Sequence, residues 1–223
     1  MISIQHVSKS YPVRGISRHF VFRDFSLDLP ENTNIGIIGR NGAGKTTLLR
    51  LIGRVERPDA GEIYNPHHVS PPLGLTSGTN AILTGRENSK FLCRLYGDDS
   101  ELARERIGFI QDFSELGAFF DRPVKTYSSG MRARLGFAMS MAFEFDYYLI
   151  DELTSVGDLG FRNKAAAAFD AKRGKASVIM VSHSMSKIMS QCERGVVLHR
   201  GQPHLFDNIE EAVKFYEDVA KST

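Results

Sequence analysis

The segment Gly39-Arg40-Asn41-Gly42-Ala43-Gly44-Lys45-Thr46 constrains this chain more than any other feature. It fits the pattern Gly-x-x-x-x-Gly-Lys-Ser/Thr. It also stands where that pattern has meaning, between a short apolar run, Ile35-Gly36-Ile37-Ile38, and the helix-forming Thr47-Leu48-Leu49-Arg50-Leu51-Ile52. Glycines let the backbone wrap an anion with its N–H groups pointing inward, and the helix that follows presents its positive end to the same anion. The segment from Gly39 through Thr47 is therefore the expected phosphate site. Lys45 adds a point charge, and the Thr46 hydroxyl is suited to Mg²⁺, a hard ion that takes oxygen ligands.

The runs around this loop define the architecture. Ile35 to Ile38, Tyr147 to Ile150 and Val178 to Val181 are short and apolar throughout, as strands buried on both faces of a parallel sheet are. Helical stretches rich in Ala, Lys and Arg separate them, which gives an α/β fold. The first thirty residues read as strands, with Phe25-Ser26-Leu27-Asp28-Leu29 alternating in and out. From Tyr64 to Gly85 no Asp, Glu, Lys or Arg occurs and Pro, Gly, Ser and Thr abound, the composition of irregular connecting chain. Arg86 to Tyr96 and Ser100 to Leu116 are helical in composition and predict a helical subdomain, about 86–143, inserted into a single domain of 1–223. Ile209, Ala212, Val213, Tyr216, Val219 and Ala220 share one face of a terminal helix within 207–223, which either caps the core or docks on a partner.

Composition excludes several classes. With 28 Lys+Arg against 26 Asp+Glu, the net charge of +2 is too balanced for a chain whose main partner is nucleic acid or an anionic membrane. The longest uncharged apolar run, Leu135 to Phe143, is too short for a bilayer-crossing helix, so no direct span is expected. Met1-Ile2-Ser3-Ile4-Gln5 has no signal-peptide character, and the two cysteines, Cys93 and Cys192, suit free thiols in a reducing compartment. The chain is expected in the cytosol.

The run ending Leu149-Ile150-Asp151-Glu152 supplies two carboxylates at a strand end. Side chains alternate across a strand, so one can serve the metal, Asp151, while the other, Glu152, acts as general base toward water. Asn163-Lys164-Ala165-Ala166 lacks the carboxylate of a guanine-reading Asn-Lys-x-Asp motif, and no His-Arg-Asp or Asp-Phe-Gly occurs. The expected reaction is transfer of the ATP γ-phosphoryl group to water.

Between the loop and the Asp-Glu strand lies Tyr127-Ser128-Ser129-Gly130-Met131-Arg132, which resembles the signature motif of ATP-binding cassette (ABC) proteins. The resemblance implies an ABC-type P-loop core with an N-terminal antiparallel β-subdomain and the inserted helical subdomain. It further implies that Ser128, Ser129, Gly130 and Met131 hold the γ-phosphate of an ATP bound by a second copy, so that two nucleotides are sandwiched in a head-to-tail homodimer. His183 matches the family's switch histidine, which positions the attacking water. Asp158 occupies the D-loop position that couples the two sites, and Tyr11 the position of an aromatic that stacks on adenine; a plain surface tyrosine is the alternative.

Within the family the chain is most similar to ATP-binding subunits of capsular or lipopolysaccharide polysaccharide exporters. The Tyr-Ser-Ser-Gly-Met signature, Thr154-Ser155-Val156-Gly157-Asp158, and Pro71-Pro72-Leu73-Gly74 leading into Leu83-Thr84-Gly85-Arg86-Glu87-Asn88 carry that likeness. It implies a subunit peripheral to the cytoplasmic face of the plasma membrane, driving a separate permease that grips the region from Leu75 to Tyr96 and the inserted helices. An ABC ATPase for another cargo and a soluble ABC regulator are the alternatives. One departure is plain: the glutamine that most cassettes carry after the third strand is absent from Gly74 to Gly78, and Gln111 lies too far downstream.

Overall fold

The computed structural model describes residues 1–13, 15–73, 79–151, 158–172, 175–182 and 184–221, with the backbone alone for Ile16 and Ser17. They form two units. Met1–Pro72, Phe145–Glu152 and Ala176–Thr223 make the first, and Leu73–Glu144 with Leu153–Lys175 the second.

The first unit holds two sheets. β1 (Ile2–Val13) lies between β2 (Ile16–Leu29) and β4 (Ala60–Tyr64), all antiparallel, and this is the antiparallel β-subdomain expected at the N-terminus. The second sheet has the order β5-β6-β3-β7-β8, where β3 is Ile35–Gly39, β5 Tyr147–Asp151, β6 Ser177–Val181, β7 Arg194–His199 and β8 Gln202–Phe206. Its first four strands are parallel and β8 returns antiparallel at the edge. All five residues of β3 are buried, which explains its unbroken apolar run. α1 (Lys45–Ile52) places Leu48, Leu49, Leu51 and Ile52 in one core with Ile35 and Ile37 of β3, Leu149 of β5 and Phe22 and Phe25 of β2.

α6 (Met185–Gln191) and α7 (Ile209–Lys221) also belong to this unit. The first half of the terminal helix packs on the core: Ile209, Ala212 and Val213 are buried, and a Cβ on Gly195 of β7 would fall 2.3 Å from that of Ala212, while Tyr216 and Val219 are only partly buried and Ala220 is exposed. The backbones approach that closely because position 195 has no side chain.

The second unit is helical: α2 (Gly85–Leu95), α3 (Ser100–Ser114), α4 (Ser129–Met141) and α5 (Leu159–Lys172), with two short 3₁₀ turns between α3 and α4. α2 opens with a reciprocal cap. The Thr84 hydroxyl accepts from the Glu87 N–H, while the Glu87 carboxylate accepts from the Thr84 N–H at 2.8 Å, satisfying two donors that a helix start otherwise leaves orphaned. Asp99 caps α3 in the same spirit, accepting from the N–H groups of Glu101 and Leu102. Phe113, Phe137 and Phe161 gather α3, α4 and α5 around one aromatic cluster, with ring centroids 5.8 to 6.2 Å apart.

Candidate functional site

The carboxyl ends of the parallel strands share one edge of the second sheet. Asp151 pairs with Val181, and Val181 with Ile37, so the loop that leaves β3 at Gly39 begins just beyond the row that carries Asp151. Asp151 is two strands away, about 10 Å at normal strand spacing. This is the edge where open α/β sheets bind ligands.

The loop has the form an anion needs. Gly44 caps α1 with φ +96°, offers no side-chain hydrogen bond to the helix start, and no carboxylate lies in the first turn. The positive end of the helix is therefore left for a bound group. A Cβ on Gly44 would lie 2.6 Å from Val21 Cγ1 and 2.7 Å from Phe22 Cζ, so β2 presses the loop from behind. Lys45 is buried, and its ammonium donates to the carbonyls of Gly39, at 2.6 Å, and Arg40, at 3.0 Å, which hold the charge across the loop. The oxygen donors at this edge, the Thr46 hydroxyl and the Asp151 carboxylate, are of the kind that a hard divalent cation takes.

Tyr11 comes to the same helix. Its hydroxyl donates to Glu56 at 2.7 Å and lies 3.5 Å from the Thr47 hydroxyl, with the Lys9 ammonium 5.3 Å from the ring centroid. Glu56 also accepts from Lys9 and from Arg50 of α1, each at 3.1 Å. Burial pushes the Glu56 carboxyl upward, but hydrogen bonds from Tyr11 and Lys9 and the Lys9 charge outweigh it and hold it below the usual carboxylate range.

In the second unit, Ser128 is the cap of α4. Its hydroxyl accepts from the Met131 N–H at 3.2 Å, and Ser129 and Gly130 form the first turn, again without a carboxylate. Tyr127, buried just before it, donates from its hydroxyl to the Phe119 carbonyl at 2.7 Å, and burial pushes its phenol up. Asp158 caps α5 by accepting from the Phe161 N–H at 3.0 Å. That bond, with the charge of Arg134 on α4, holds its carboxyl below the usual range. Arg134 bonds both Asp158 and Glu115 and lies 4.9 Å from the centre of the Phe161 ring.

The first unit thus carries Tyr11, Gly39 through Thr47 and Asp151, and the second carries Ser128 to Met131 and Asp158. Glu152 and His183 lie outside the described residues, as do Gly74 to Gly78. Sequence reasoning missed Glu56 and Arg134. Each is a single charged residue whose partner is distant in the chain, and only the neighbouring Arg132 and the apolar helix after it gave Arg134 any local context.

Residues 22–155, more than half of the chain, match the model of the ABC transporter family. The chain belongs to that family. As an ABC ATPase it binds ATP. The polysialic acid transport ATP-binding protein KpsT of Escherichia coli is 50% identical over 218 residues, covering 97% of this cassette and 99% of that protein. The capsule polysaccharide export ATP-binding protein CtrD of Neisseria meningitidis serogroup B is 44% identical, with 98% and 100% covered. Among solved structures, the dimeric, post-hydrolysis ATP-binding cassette MJ0796 bound to ADP and Pi superposes with a TM-score of 0.72 at 21% identity, covering 93% of this chain and 98% of that one, and shares its fold. Among the described residues, no helix of the cassette is long and apolar enough to cross a membrane.

Proposed function

We propose that this chain is the ATP-hydrolysing subunit of a capsular polysaccharide exporter, working as a homodimer on the cytoplasmic face of the plasma membrane with a separate permease. The observation that carries the cargo class is its similarity, end to end, to KpsT and CtrD, both named for transport of such polymers. On this reading 1–223 is one ATP-binding domain, with the helical subdomain at about 86–143 and the terminal helix at 207–223.

The P-loop amides and Lys45 bind and orient the triphosphate and stabilise the charge that develops on it. Thr46 and Asp151 would hold Mg²⁺, which when bound neutralises charge on the phosphates. Glu152 takes the proton from the attacking water and His183 positions that water. Tyr11, its hydroxyl fixed by Glu56, offers its ring to adenine. Ser128, Ser129, Gly130 and Met131 engage the partner's nucleotide across the dimer, and Asp158 links the two sites. ATP acts as glue between protomers, and its hydrolysis lets them part. Ile82, and Phe91 and Leu95 of α2, are large apolar side chains more than half exposed in the region that would meet the permease, which supports docking there.

Light scattering of Glu152→Gln with and without MgATP tests the dimer: a monomer that doubles in mass only with MgATP supports it, and a persistent monomer that binds ATP counts against the signature reading. Expression in Escherichia coli lacking KpsT tests the cargo. Surface polysaccharide restored by the parent chain and not by Lys45→Ala is the expected result. An active ATPase that restores none points to another cargo.

A further inference from the structure

A groove of about 560 Å³ runs between α2 and α3, wholly inside the second unit and remote in sequence from the P-loop. α2 buries Gly85, Asn88, Ser89 and Cys93. Residues four apart share a helix face, so Arg86, Lys90 and Arg94 form one outer stripe of α2 and Glu87, Phe91 and Leu95 the next. The first stripe lines the groove, together with Arg104 of α3.

The charges of the groove divide into those already engaged and those left over. Asp98, its side chain 4% exposed, accepts from Arg106 at 2.7 Å, and Asp99 is occupied in capping α3. Arg86 donates twice to Asp121 and once to Gln111. Lys90, Arg94 and Arg104 are all exposed, and none of them enters an ion pair among the described residues; Lys90 feels the charges of Glu87 and Asp121 without bonding either. Three uncommitted cations along one groove complement an acidic partner.

The neighbouring apolar surface sets the size of that partner. Phe91 and Leu95 are 58% and 70% exposed, and Ile82, in the turn before α2, is 74% exposed. That turn is fixed in advance: Asn88, 2% exposed, donates to the carbonyls of Asn80, Leu83 and Thr84 at 2.8 to 3.3 Å and accepts from the Asn80 N–H at 2.7 Å. Ile82 is thus presented without an ordering cost on binding. A small anion would leave these side chains in water, whereas a polypeptide segment with acidic residues along one edge and apolar residues along the next covers both stripes.

We propose that the α2–α3 groove receives an acidic, amphipathic segment of the permease, with Lys90, Arg94 and Arg104 selecting its charge and Phe91 and Leu95 its apolar edge. The proposal rests on the exporter reading above and adds the chemistry of the segment that the subunit recognises.

The test is co-sedimentation of the purified full chain with inside-out membrane vesicles from Escherichia coli lacking KpsT, prepared with and without the capsule permease. The parent should bind the permease-bearing vesicles, and progressively less as salt is raised. Lys90→Gln/Arg94→Gln/Arg104→Gln should bind them at least about tenfold more weakly and with a flatter salt dependence, while its ATP hydrolysis without membranes stays within about twofold of the parent's. The charge-keeping variant Lys90→Arg/Arg94→Lys/Arg104→Lys should bind like the parent. A neutralised variant that binds unchanged, a charge-keeping variant that does not bind, or parent binding indifferent to salt would each overturn the acidic partner. Equal binding of the parent to vesicles without the permease would overturn it as well, by assigning the cations to anionic lipid. A parent chain that binds neither kind of vesicle would sink the exporter reading and this proposal with it, a failure distinct from that of the variants alone.

Discussion

Replacing Gly44 by alanine separates two costs that the P-loop imposes on its sequence. At φ +96° an L-residue is strained by about 1–2 kcal/mol. The added methyl would also lie 2.6 Å from Val21 and 2.7 Å from Phe22, a ring only 1% exposed and so unable to move aside into solvent. Overpacking of that kind costs about 1–3 kcal/mol, so Gly44→Ala should lose roughly 2–5 kcal/mol in all. Gly42 is the internal control: at φ +82° it carries the same strain, but no atom lies within 4 Å of an added Cβ. Gly42→Ala should lose only about 1–2 kcal/mol. Urea unfolding followed by far-ultraviolet circular dichroism gives both values. With a slope of roughly 3 kcal/mol/M, the extra packing cost moves the Gly44→Ala midpoint a further several tenths of a molar to about 1 M below that of Gly42→Ala. Equal midpoints for the two variants would refute the claim that β2 presses on the loop from behind, and the account of how the P-loop is held would fall with it.

Four further outcomes follow from the geometry. Glu56→Gln removes the charge that anchors Tyr11, Lys9 and Arg50, so the apparent KM for ATP should rise a few-fold with kcat unchanged; an unaltered KM would count against Tyr11 as the adenine platform. The same variant has a pH signature. A carboxyl held below its ordinary value of about 4.3 contributes stability that is present above that value and is lost as pH falls through the folded pKa, so the parent should lose stability more steeply than Glu56→Gln in acid unfolding scans below about pH 4.3. Tyr127→Phe leaves the Phe119 carbonyl without its hydroxyl donor and should cost about 1 kcal/mol in urea unfolding, with no effect expected on ATP binding. Arg134→Ala should weaken MgATP-dependent dimerisation of the Glu152→Gln protein while ATP binding to the monomer is kept, as read by light scattering alongside nucleotide titration.

The parts of this molecule that were legible from sequence are those encoded locally. The P-loop announces itself because eight consecutive residues must satisfy one backbone path, and β3, β5 and β6 do so because strands covered on both faces are apolar at every position. β4 left no such trace. Ala60, Gly61, Glu62 and Tyr64 are exposed at a sheet edge and only Ile63 is partly buried, so nothing in its composition distinguishes it from loop. β7 and β8 carried a usable hint that went unread, the run Val196-Val197-Leu198 followed by Arg200-Gly201, a two-residue hairpin turn. The pairings that shape the site were out of reach for another reason. Tyr11 and Glu56 are 45 residues apart and Arg134 and Asp158 are 24 apart, and no periodicity within either segment encodes a partner in the other.

Those distant pairings bear on how the second unit can work. Ser128 to Met131 and Asp158 are far apart in sequence, yet Arg134 of α4 grips the carboxylate that caps α5, and the Phe113, Phe137 and Phe161 rings fill the space behind them. Packed interiors transmit displacement and do not absorb it. A push on Asp158 therefore reaches the first turn of α4 through one ion pair and one rigid aromatic cluster, without loop rearrangement. If that first turn, free of carboxylates and capped by a single serine hydroxyl, holds the partner's phosphate as proposed, it is sensitive to small shifts, because hydrogen bonds to an anion weaken steeply with angle and distance. On the proposed roles of Ser128 to Met131 and Asp158, coupling between them needs only that the unit move as a body, and Arg134 is the residue whose loss would let the two move apart.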